Sequence, residues 1–129
     1  MTALTAFTSY SDALAAGDMP ALAASLHPDV VWHQPGAHSL AGNHVGPDQV
    51  LQLLGGFMQR SNGTFALQPT GQPMVNGDLV ALPVTFSAQA EGKTDLDMTG
   101  VDLFRVADDL IAEVWLFSAD QQAEDDFWG

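Results

Sequence analysis

The chain's 129 residues are enough for one domain with a buried core that needs no disulfide or metal staple, and too few for a second domain. Sixteen Asp and Glu against three Lys and Arg give a formal charge of -13. That balance opposes phosphate backbones and anionic lipid, so neither nucleic acid nor membrane is an expected partner. There is no cysteine, which removes disulfides, thiol nucleophiles and thiolate metal sites. With 47% apolar and 15% charged residues the acidity reads as a solvated surface rather than a disordered tail. The amino terminus has no basic residue and no apolar run approaches the roughly 18 residues of a membrane span. The expectation is a soluble, cytoplasmic protein, in which Asn62-Gly63-Thr64 is a turn rather than a glycosylation site.

Leu4, Phe7, Ser11 and Leu14 recur at helical spacing, and Gly17 supplies the stop. Asp18 can cap a second helix with Pro20 in its first turn, Leu22 and Leu26 on one face and His27-Pro28-Asp29 as its end. "VVWHQP" (30–35) alternates like a strand and leads into a Gly- and His-bearing loop, 36–46, of a length that tends to carry function. Pro47 and Asp48 open a third helix, whose Val50, Leu51, Leu53, Leu54, Phe57 and Met58 make a wide apolar stripe before "RSNG" ends it. From Thr64 onward Val, Phe, Thr and Leu dominate, with turns at "NGD", "AEGK" and "ADD", predicting about four strands at hairpin spacing. Helices first and an antiparallel sheet after them indicate an α+β domain with helices on one face of a curved sheet.

The segment Gly100–Trp115 reads as two strands joined at Asp108-Asp109, with Asp102 inside the first. Asp is disfavoured in strands and costly to bury, so it either faces water or is held inside for a chemical reason. A tight two-residue turn places Asp102 opposite Trp115. One extra residue as a bulge exchanges the faces, and Asp102, Ser118 and Asp120 then share a side with Phe104, Val106, Val114 and Leu116. Periodicity alone leaves both registers open.

Tyr10 seven residues before Gly17-Asp18, a strand ending in "QPG", a helix-opening Gly46, and "VDLFRV" followed by "EVW" occur in this order over nearly the whole chain. Together they resemble the nuclear transport factor two-like superfamily, in its ketosteroid isomerase and SnoaL-like polyketide cyclase branches. The resemblance implies a cone-shaped curved antiparallel sheet closed by three N-terminal helices around a deep pocket. It also implies the bulged register, an inward Asp102, and a homodimer through the convex sheet face that carries Trp115 and Phe117. Asp102 matches the isomerase's oxyanion-hole acid, a carboxyl that an apolar site keeps protonated, and Tyr10 matches its second oxyanion donor. The isomerase's proton-shuttling Asp falls on Gln34, which cannot take a proton near neutral pH, so steroid isomerisation by that route is not expected. Asp120, five residues after Trp115, resembles the acid/base Asp of the SnoaL-like cyclases and of limonene epoxide hydrolase, and is the replacement base. The Arg and Asn partners of that hydrolase have no match here.

His33 and His38 are further candidates for a base, because imidazole titrates in the useful range; His33 alternates with Gln34, so at most one of the two points inward unless the strand bulges. The spacing of the four histidines repeats no tight ligand motif, and no metal or cofactor is expected. Trp32, Gln34, His38, Phe57, Phe104, Leu116 and Ser118 are the expected substrate-lining residues, and the terminal "DFWG" a cap on the pocket or on a partner. The resulting reading is an acid/base enzyme that moves a proton on a small apolar carbonyl compound, such as a polyketide or terpenoid, in an enclosed pocket. The alternatives are a non-catalytic binder of a small hydrophobic ligand, which Gln34 favours, an epoxide hydrolase-like activity, and a protein-association domain.

Overall fold

The computed structural model describes residues 2–129. Helix α1 (Ala3–Ala16) starts where the Thr2 hydroxyl accepts from the Thr5 amide and stops at Gly17, whose φ of 65° is left-handed. Its buried stripe is Ala6, Phe7, Tyr10 and Ala13, with Leu4 left exposed. Asp18 caps α2 (Met19–Ala24), accepting from Ala21 N at 3.1 Å. This helix is shorter than the sequence pattern indicates. Leu26 already pairs with Ile111, so His27-Pro28-Asp29 lies in strand β1 (Leu26–Gln34), and the buried Leu22 and Leu26 belong to two different elements.

The expected loop also shortens, because β2 (Gly42–Val45) folds back antiparallel on β1 before α3 (Pro47–Arg60). Five strands follow rather than four: β3 (Ala66–Pro69), β4 (Met74–Asn76), β5 (Leu79–Ala88), β6 (Leu96–Ala107) and β7 (Leu110–Ser118). Pro69, Gly71 and Pro73 split the first of these segments into β3 and β4, both of which pair with β5. Strand order is β2-β1-β7-β6-β5-β3, with β1 parallel to β7 and the remaining pairs antiparallel. A fourth helix, α4 (Gln121–Trp128), follows the last strand, so the three N-terminal helices are not the only ones packed on the sheet.

The register combines both alternatives. Asp108 and Asp109, at φ 54° and 61°, form a tight turn that pairs Ala107 with Leu110 and Val106 with Ile111. Arg105 then pairs with Glu113, so Ala112 is the extra residue, and the bulge lies within β7 rather than at the turn. Beyond it Asp102 faces Leu116 and Gly100 faces Ser118. The inner side of the sheet therefore collects Trp32 and Gln34 of β1, Val80, Leu82, Val84 and Phe86 of β5, Asp102 and Phe104 of β6, and Val114 and Leu116 of β7. The outer side carries His33, Arg105, Glu113, Trp115 and Phe117. Among the described residues no helix is long and apolar enough to cross a membrane.

Candidate active site

Two polar groups stand on the inner face amid aromatic side chains. The Tyr10 ring lies 5.3 Å from Phe104 and 6.5 Å from Phe7, and Phe7 is itself 5.0 Å from Phe104. Two residues along β6, Asp102 is only 9% exposed. Burial, reinforced by the nearby Glu124 carboxyl, pushes its ionisation up to about 7, so it keeps its proton well above the range in which an ordinary carboxyl loses it. The Tyr10 hydroxyl is pushed far above its ordinary value by burial and by Asp102, and it is a donor at any working pH. No hydrogen bond supports either group's charged form.

A chain of hydrogen bonds crosses the same interior. Trp32 Nε1 donates to Gln34 Oε1 at 3.1 Å, and Gln34 Nε2 donates to Glu124 Oε1 at 3.3 Å. The Ser118 hydroxyl donates to Glu124 Oε2. Glu124 is 4% exposed, and burial, with Asp125 beside it, raises its ionisation against the opposing pull of Ser118, Trp128 and Gln121. The Trp128 indole nitrogen is buried without an aligned acceptor, although it stands close enough to Glu124 to favour that carboxyl's charge.

Helix α4 brings Glu124 to this place. Asp120 caps it, accepting from Ala123 N at 3.1 Å. Glu124, Phe127 and Trp128 share its buried face at helical spacing. Trp128 packs 4.8 Å from Phe57 and 5.8 Å from Phe65, which extends the aromatic cluster over the cone. The flanking loop docks on the helix: Ala37 N donates to Asp125 Oδ1 at 3.0 Å, and Gln121 Nε2 donates to the Pro35 carbonyl at 3.4 Å. Gly36 permits this approach, because a Cβ there would collide with Asp125 and Gln121. The interior implied by the resemblance is thus covered. Two outer clefts, of about 390 and 560 Å3, are bounded by Thr64, Ser87 and Asp97 and by Leu4, Val75 and Val106, and neither includes Asp102 or Glu124.

A model of the SnoaL-like domain matches residues 7–114. The chain belongs to the SnoaL-like family. An uncharacterized protein of Mycobacterium tuberculosis is 33% identical over 119 residues, covering 90% of this chain and 88% of its own. A Xanthomonas campestris crystal structure of unknown function, described as cystatin-like in fold, is 46% identical, with a TM-score of 0.91 and coverage of 100% of this chain and 99% of its own. Bal32a, from a soil-derived mobile gene cassette, shares the fold at 23% identity and a TM-score of 0.89, covering 98% and 96%.

In this SnoaL-like chain the sheet register brings Trp32, Gln34, Asp102, Phe104, Leu116 and Ser118 to the inner side, where Tyr10 joins them from α1 and Phe57 from α3. His33 is not among them. It stacks on Trp115 at 5.5 Å on the outer face and contacts Glu113 Oε2 at 2.7 Å, because the alternation that turns Gln34 inward turns its neighbour outward. Asp120 is exposed, and its carboxyl is committed to the α4 cap rather than to the interior. His38 is buried at the loop beside α4, its Nδ1 accepting from Leu40 N at 3.1 Å and its Nε2 unpartnered; burial lowers its ionisation. Glu124 is the residue that the sequence reading passed over. Its signal is a carboxylate at i before apolar residues at i+3 and i+4, which places an acid on the apolar face of a short helix.

Proposed function

We propose that this SnoaL-like protein is an acid/base enzyme that moves a proton on a small, uncharged, apolar carbonyl compound, with Glu124 as base and Asp102 and Tyr10 as oxyanion donors. The observation that carries the reading is the pair of buried carboxyls, Asp102 and Glu124, each raising the cost of charge in the other's surroundings. Glu124 would take the proton from the carbon next to the carbonyl. The released electron pair would pass to the carbonyl oxygen, held by the Asp102 carboxyl and the Tyr10 hydroxyl at about 3 kcal/mol per donor. Return of the proton from Glu124 to a different carbon gives isomerisation, while attack of the enolate carbon on a second carbonyl gives ring closure, with the proton passing from Glu124 to the new alkoxide.

The surroundings support an uncharged substrate. Phe7, Leu82 and Phe104 line the interior, and the three cations lie elsewhere: Arg60 and Lys93 contact the end of α4, and Arg105 pairs with Glu113 on the outer face. The test is hydrogen–deuterium exchange at acidic carbons in a panel of neutral ketones, read by nuclear magnetic resonance. Wild-type protein should catalyse exchange, and Glu124→Gln should lose it by about a hundredfold or more. Ligands that bind with no exchange above the uncatalysed rate would make this a binding protein.

We also propose that the convex face, where Phe117 is 55% and Val101 39% exposed, pairs with a second copy of the chain.

A further inference from the structure

The amide of Gln34 has one workable orientation. Trp32 Nε1–H can only donate, so it holds the amide oxygen toward itself, and the amide NH2 is turned onto Glu124 Oε1. Ser118 supplies a hydroxyl donor to the other oxygen of the same carboxylate. Glu124 therefore receives protein donors on both oxygens, each donor presented by a strand of the sheet, whereas Asp102 receives none.

Two acids in one apolar interior compete for one negative charge, and the group with donors aimed at it is the one that keeps the charge. We propose that Trp32, acting through Gln34, is a positioning residue that places the charge on Glu124 and leaves the proton on Asp102. That ordering makes the first group a base and the second an acid. Its catalytic meaning rests on the acid/base reading above, but the order of ionisation does not depend on turnover.

The other groups acting on Glu124 are accounted for element by element. Burial is the largest influence and opposes a charge there, as does Asp125 of α4; the Gln121 and Trp128 side chains of α4 favour it, Asp102 of β6 is itself pushed up by Glu124, and among the described residues no cation contributes. Against the burial that opposes charge, every group favouring it is a neutral donor, and by hydrogen-bond geometry Gln34 and Ser118 are the two that come from the sheet. On this view the glutamine in "HQP" is not a vacant base position. The base has moved from β1 to α4, and the strand residue has become its donor. A carboxylate at position 34 would instead set a third acid against Glu124.

The experiment is a titration of carbon-13-labelled side-chain carboxyls by nuclear magnetic resonance. In the wild type, Glu124 should ionise at lower pH than Asp102. Gln34→Met, close in volume but without a donor, should raise the Glu124 midpoint to or above that of Asp102. Trp32→Phe, which leaves the amide free to turn, should shift it in the same direction by less. Ser118→Ala removes a hydroxyl alone and serves if the Gln34 variant does not fold; it too should raise the midpoint. Where exchange is catalysed, each lost donor should slow it about tenfold at neutral pH. An unmoved Glu124 midpoint in Gln34→Met or in Trp32→Phe, or a wild type in which Asp102 ionises first, overturns the proposal. The expected order without exchange on any ketone would remove the enzyme reading and leave the positioning role intact.

Discussion

Position 102 holds a carboxyl where Leu82, Phe104 and Leu116 surround it with carbon, and that placement couples folding to pH. Its ordinary value is 3.8 and its folded value about 7. Between the two, the unfolded chain has released its proton and the folded chain has kept it, so raising the pH across that window favours unfolding. The raised ionisation of Glu124 acts in the same direction. Asp102→Asn should therefore stabilise the protein above pH 7, on the order of a few kcal/mol, and leave stability at pH 4 nearly unchanged; calorimetric melting at both values checks this. His38 limits the acid side. Burial lowers its ionisation, so as the pH falls below 6.5 the unfolded chain gains a proton that the folded loop resists. His38→Gln should flatten that acid limb in the same melts.

Helix α4 is the element on which the site depends, because it carries Glu124 and covers the interior with Phe127 and Trp128. Two of its attachments are made by cations at its C-terminal end. Arg60 Nη1 donates to the Trp128 carbonyl at 2.8 Å and Lys93 Nζ to the Asp126 carbonyl at 3.1 Å, which places two cations at the negative end of the helix dipole. Arg60→Ala should release about 1 kcal/mol of docking, and Gly36→Ala should do so through its collision with Asp125 and Gln121. Both should speed amide hydrogen exchange in α4, by about fivefold for Arg60→Ala, while β5 to β7 keep their protection. This helix was the least legible part of the sequence. The apolar stripe of α3 and the alternation of β5 repeat often enough to declare themselves, but α4 offers two turns among acidic residues, and its one informative carboxylate looks like surface charge. Asp102 was legible as an oddity in a strand, yet its face hung on Ala112, a residue whose type gives no sign that it is the bulge. Asp120 drew attention by its place after the strand, and local capping claimed it.

Over the whole molecule the charge of -13 spreads outward while the interior holds two acids and no cation, so anionic ligands meet repulsion at every stage of approach. Self-association of the kind proposed can tolerate this where carbon is exposed around Phe117 and Val101 and Arg105 pairs with Glu113 beside them. Phe117→Asp should convert a dimer to a monomer in light scattering without lowering the melting temperature of the isolated fold by more than about a degree or two. Two of the holds on α4 read backbone rather than side chains, since Arg60 and Lys93 grip the carbonyl oxygens of residues 128 and 126. Those two grips are indifferent to what either position carries. Substitutions among the residues that α4 turns inward therefore leave these two attachments in place.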